Sequence, residues 1–176
     1  MQIRALTCAA VCALTLAVVP AACAPRTTFP PTAGRTLSTP SVAPGPELMA
    51  DSIREAWRVA GGQGTIAFNL PSGLPESTWR SVAERLGDGA RAMTASDDRA
   101  YSVQQLRING GVAEVDVIYP DRGVYQLMTV RLTGGAFADW KVVSAYRWVA
   151  PCAGPVPNAP TGVMVRAETT DEPAPE

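Results

Sequence analysis

Four runs of alternating apolar residues, joined by three turn signals, fill Tyr101 to Trp148 and constrain the fold more than any other stretch. Alternation with a period of two is the mark of strands that bury one face. Asn109-Gly110-Gly111 is the sharpest turn signal, since a tight hairpin needs residues that tolerate positive φ. Beyond it Ala113, Val115, Val117 and Tyr119 share one face. Leu106 and Ile108 join that face from the preceding strand, but Tyr101 and Val103 have the opposite parity. A β-bulge at Gln104-Gln105 restores the register and is predicted there. Pro120-Asp121-Arg122-Gly123 makes the next turn and aligns Met128, Val130 and Leu132 with the apolar face. Residues 133–139, with Gly134-Gly135, lead into a last strand. There Trp140, Val142, Tyr146 and Trp148 are expected inside, with Lys141, Val143, Ala145 and Arg147 outside. The outer face then collects Arg107, Glu114, Asp116, Arg131, Lys141 and Arg147, with Ile118, Tyr125 and Leu127 among them. Cross-strand ion pairing on a wet face accounts for these charges.

The region before the meander supplies the cover. Met49, Ile53, Ala56, Trp57 and Ala60 recur at helical spacing from about Glu47 to Ala60, and Gly61-Gly62 ends the helix. Trp57 reads as a core anchor rather than a binding residue. Residues 64–70 alternate as a half-buried strand. Pro75 opens a second helix that Gly87 closes, with Trp79, Val82, Ala83 and Leu86 as its buried stripe. A loop follows, with a short extended piece at Arg91–Thr94. Asp97-Asp98 reads as a solvated turn, because two adjacent carboxylates lack the further ligands that calcium requires.

These elements predict an α+β fold: two helices on one face of a mainly antiparallel sheet that ends in a four-stranded meander. Helices and a strand followed by a long meander ending in Trp140-Lys141-Val142 resemble the cystatin-like α+β roll, and within it the SnoaL/ketosteroid-isomerase-like group. The resemblance covers residues 47–149 and implies a curved sheet wrapping a helix, sometimes around a ligand cavity. It carries no catalytic residue across. A simpler helix-on-sheet sandwich satisfies the same pattern.

The flanks differ in kind. Arg4 followed by an uncharged apolar run from Ala5 to Val19 fits a secretory signal over residues 1–22. Residues 23–46 are rich in Pro, Thr and Ser and read as a disordered tether. Residues 47–150 are the folded domain, and 151–176 read as a mostly disordered, Pro-rich acidic tail. Val19-Pro20-Ala21-Ala22-Cys23 resembles the lipobox of bacterial lipoproteins. That resemblance implies cleavage before Cys23, diacylglycerol on its sulfur and acylation of the new N-terminus. Ordinary cleavage near Ala21–Ala24 is the rival. Cys8 and Cys12 leave with the signal, so Cys152 is either unpaired beside an acylated Cys23 or disulfide-bonded to it.

Composition excludes more than it suggests. Lys+Arg number 15 against 16 Asp+Glu, which gives no electrostatic footprint for nucleic acid. Histidine is absent, removing the commonest general base and metal ligand. Neither a nucleophile elbow, nor a phosphate-binding loop, nor a metal constellation is present, so no catalytic, cofactor-binding or metal-ligating residue is assigned and an enzyme is not expected. The leading expectation is a lipoprotein anchored through Cys23 to the cell membrane or outer membrane. It would display an α+β binding domain to an envelope protein or a small apolar ligand. The alternatives are a roll-fold enzyme using Asp116 or a tyrosine in an apolar cavity, and an envelope scaffold without a ligand.

Overall fold

A computed structural model describes residues 26–32, 40–135 and 138–161. Strand β1 (Arg26–Phe29) precedes helix α1 (Gly45–Val59), strand β2 (Ala67–Asn69), helix α2 (Glu76–Leu86) and strand β3 (Arg91–Ala92). Strands β4 (Tyr101–Asn109), β5 (Val112–Asp121), β6 (Val124–Gly135) and β7 (Ala138–Cys152) complete the chain. Together they form an α+β fold: two helices on an open, mostly antiparallel sheet of seven strands in the order β3-β2-β4-β5-β6-β7. β1 lies off this path and pairs antiparallel with β4. β2 is parallel to β4 at that strand's beginning, and β1 runs along its end.

The meander forms by local hairpins, as its turn chemistry dictates. Gly110, at φ 60°, and Gly111 close β4 on β5. Arg122 and Gly123, at φ 50° and 85°, close β5 on β6. In the second hairpin two consecutive left-handed residues match the right-handed twist of the paired strands, and the glycine carries its position cheaply.

The expected bulge is present. Val103 pairs with Val117 and Gln105 with Asp116, so Gln104 is the extra residue. Its insertion puts Tyr101 and Val103 on the same face as Leu106, and all three are buried.

On that face Ala113, Val115, Val117, Tyr119, Met128, Val130 and Leu132 lose all solvent contact. Helix α1 lies across them and touches β4, β5, β6 and β7, burying Leu48, Met49, Ile53 and Ala56 completely. α2 packs on α1 through Trp79 and Val82, with Trp79 tilted 31° against the Phe68 ring at 5.8 Å. Trp57 and Ala60 sit at the margin of this core, only partly buried. β2 is buried at all three positions rather than alternately, because both its neighbours and the elements above and below enclose it.

Three expectations need correction. The last strand does not keep a single parity. Arg131 pairs with Ser144 but Leu132 with Val142, so Val143 is extruded as a second bulge. Trp140 and Val142 stay on the helix side, but Tyr146 and Trp148 move to the open face, and Arg147 turns inward to meet Tyr119.

Secondly, the expected tether contains a strand of the sheet. Thr27, Thr28 and Phe29 are buried in β1, and α1 starts at Gly45, ahead of the expected boundary. Apolar alternation over so short a strand is too weak to stand out from a Pro/Thr-rich background.

Thirdly, the described part of the tail is docked. Asn158 donates from its backbone N–H to Asn69 Oδ1 at 2.9 Å and from its side chain to Leu70 O at 2.8 Å. Thr161 bridges to Pro75 beyond it. Val163-Met164-Val165 lies outside the described residues.

Candidate functional site

The helices leave one face of the sheet open, and a ladder of polar side chains crosses it. Arg107 on β4 sits opposite Glu114 and one step from Asp116 on β5. Its guanidinium clamps the Asp116 carboxylate with two bonds of 2.6 and 2.9 Å, and donates to Gln105 Oε1 at 2.6 Å. Glu114 lies 3.4 Å from the same guanidinium. Thr129 on β6 donates to Asp116 Oδ1 at 2.7 Å and accepts from the Trp148 indole N–H on β7 at 3.1 Å. Four adjacent strands are thus stitched by one connected network. The hydrogen bond from Arg107 to Asp116, ahead of the charges of Asp116 and Glu114, holds the guanidinium above its already high range, against the opposing effect of burial.

Beside this ladder runs a groove. Ile118, Leu127, Gln104, Gln105 and Asp116 line it, with Cys152 at one end, and Pro30, Pro31 and Thr32 make a wall. Its volume is about 460 Å³. Past Cys152 it continues into a second hollow of about 380 Å³, bounded by residues 153–156, Asn69 and Asn158. The two Pro-rich segments flanking the domain therefore supply opposite walls of one depression. Gly154 is placed by close approach, since a Cβ there would stand 3.0 Å from the Tyr125 ring. Tyr125 in turn donates to Asp98 O at 3.1 Å and accepts from the Ala100 N–H at 3.2 Å, fixing the loop before β4.

Tyr146 and Trp148 stand on the same face, ring to ring at 4.9 Å and 77°, and remain 61% and 47% exposed. An exposed aromatic pair beside an apolar-floored groove has the composition of an interaction surface: large contact area and little rotamer entropy to lose.

The residues singled out from sequence fall into place unevenly. Asp116 reaches the groove, where its carboxylate accepts three side-chain hydrogen bonds, two at Oδ1 and one at Oδ2, leaving about one of its four lone-pair positions uncommitted. Asp97 is held by a bidentate contact to Arg91 and by the Thr94 N–H at 2.7 Å. The Arg91 bonds and then the Thr94 backbone bond pull its carboxyl far below the ordinary aspartate range. Among the described residues no cluster of three or more His, Cys, Asp and Glu could hold a metal.

Of the tyrosines, Tyr119 is buried against the helix side. Its hydroxyl donates to Gln126 at 3.3 Å and accepts from Arg147 Nε at 2.8 Å. Burial, the largest cause, pushes the Tyr101 phenol up. Cys152 carries a free thiol, raised above the usual thiol range by burial. Cys23 lies outside the described residues. Among the described residues no helix is long and apolar enough to cross a membrane.

Sequence reasoning missed the groove walls, because Pro30–Thr32 and residues 153–158 carry no periodicity. It also missed Tyr146 and Trp148 as open-face residues, because one extruded valine reverses their parity. Compared with protein families, with curated proteins and with solved structures, the chain matches none.

Proposed function

We propose that the chain is an extracytoplasmic lipoprotein, anchored through Cys23, whose α+β domain binds an extended segment of an envelope protein along the open sheet face. The observation that carries the binding part is the continuous groove from Pro30–Thr32 past Cys152 to residues 153–156, with Ile118 and Leu127 at its base and Tyr146 and Trp148 beside it. It is long, shallow and open, which suits an extended chain better than a small molecule, whose sites enclose most of their ligand. The lipid part rests on the lipobox-like residues 19–23. The enzyme alternative has less to draw on, since the Asp116 carboxylate is already held by Arg107 and Thr129.

A photo-reactive amino acid placed at Leu127 in the membrane-bound protein tests the reading. A discrete cross-linked partner is expected, lost when Trp148→Ala and Ile118→Asp are introduced in folded protein. Cross-linking that survives both substitutions refutes the groove as the binding site.

A further inference from the structure

Strand β1 begins three residues after Cys23, and its register shows which end of the sheet it begins at. Arg26 faces Asn109 and Phe29 faces Leu106, so the chain enters at the end where β4 turns into β5. The β6–β7 turn is at the same end, because the Gly134 N–H donates to Gly111 O at 3.0 Å. Three extended residues span at most about 11 Å. Resting on the lipid-anchor reading of Cys23, we infer that no long stalk separates the domain from the bilayer. Instead β1 mounts the sheet upright on the lipid surface, with the Gly110-Gly111 turn and residues 133–135 facing the headgroups.

Charge divides the two ends in the same sense. At the β1 end residues 109–112 and 133–135 contain no charged side chain, with Arg26 and Asp139 as the flanking charges. The opposite end carries Asp97, Asp98, Arg99, Asp121 and Arg122. An uncharged turn can approach an interface without desolvating an ion, whereas the charged end favours water.

The groove lies toward that watery end. Ile118 pairs with Ser102, seven positions from Asn109 along β4, which at strand spacing is roughly 20 Å farther from the bilayer. The groove is thereby presented outward, to a protein partner rather than to lipid. The same spacing sets Cys152, on the groove, about 20 Å from the start of β1, beyond the roughly 11 Å that three extended residues span plus the 7 Å a disulfide needs, which argues against a Cys23–Cys152 bond. That leaves the Cys23 sulfur available for acylation.

The test uses the full chain, purified from membranes with Cys152→Ser, carrying a single environment-sensitive fluorophore at Ala138→Cys or at Val124→Cys. Lys141→Cys serves as a second site near the β1 end, and each variant is required to keep the parent's circular dichroism. The proteins are reconstituted into phosphatidylcholine–phosphatidylglycerol vesicles that contain headgroup spin-labelled lipid. Quenching at least twofold stronger at 138 and 141 than at 124 is expected. Equal quenching at both ends, or stronger quenching at 124, in protein whose mass shows diacylglyceryl-Cys23 overturns the mounting alone. A mass without the lipid overturns the anchor, and the mounting with it.

Discussion

Replacing Asp116 with alanine tests whether the open-face ladder is structural. The carboxylate accepts two bonds from Arg107 and one from Thr129, all at 2.9 Å or less. The Arg107 and Asp116 side chains are 29% and 17% exposed, between a surface pair and a buried one. Surface pairs contribute about 0.2–1 kcal/mol, and hydrogen bonds to charged groups up to about 3 kcal/mol. Removing the acceptor also leaves Arg107 with only Gln105 and the longer contact to Glu114. About 2 kcal/mol of destabilisation is therefore expected for Asp116→Ala, and about half of that for Asp116→Asn, which keeps one acceptor. For a folded region of this size about 2 kcal/mol lowers Tm by roughly 6–12 °C. Urea unfolding followed by tryptophan fluorescence measures it, since Trp148 is bonded to the same network. A double-mutant cycle with Arg107→Ala isolates the pair and should give a coupling of about 1–2 kcal/mol. A loss below about 0.5 kcal/mol, or no coupling, would refute the ladder as a stabilising element and return Asp116 to consideration as a free carboxylate.

Deleting Gln104 removes the bulge while leaving the composition almost unchanged. Val103 and Gln105 then follow each other in an unbroken ladder opposite Val117 and Asp116. Tyr101 and Val103, now 3% and 1% exposed, therefore keep the core face, and cooperative unfolding should survive. Inserting one further residue beside Gln104 should instead turn them outward and abolish it. Gln104→Ala, which keeps the residue count, should cost no more than about 1 kcal/mol by the same urea titration. Ile53→Ala empties a fully buried position between α1 and the sheet and should cost about 2–4 kcal/mol; a value under about 1 kcal/mol would mean that α1 is not seated on β5 as described. The burial-raised Cys152 thiol stays protonated at neutral pH, so native protein should be alkylated by iodoacetamide far more slowly than urea-unfolded protein. The native rate should climb only at more alkaline pH than for free cysteine. Failure to find one free thiol in the unfolded, unreduced chain would show that Cys152 is disulfide-bonded after all.

What the sequence makes legible here follows from the strength of local signals. The meander, both helices and the Gln104 bulge declare themselves because periodicity and turn chemistry are encoded within a few neighbouring residues. Gly87, at φ 99° just past α2, and Gly110 in the first hairpin mark their positions unaided. The second bulge was illegible because Val142 and Val143 are chemically alike, and nothing local says which of two adjacent valines is extruded. β1 and the docked segment around Asn158 were illegible for a different reason. Their partners, β4 and the end of β2, lie about 80 or more residues away in the chain, so only the assembled sheet shows what they are for. The candidate groove inherits that limit: its base could be read from the strands, its walls could not.

The distance between β1 and its partner also sets an order of events. The meander closes through loops of two residues at Gly110-Gly111 and Arg122-Gly123, which form on a microsecond scale. β1 instead waits for a loop of about 80 residues to close, and it has no strand to join until β4 exists. On a chain synthesised N-terminus first, Arg26–Phe29 is made long before Leu106–Asn109. During that interval β1 has no strand to pair with, and the late arrival of β4 ends it by drawing Arg26–Phe29 into the sheet.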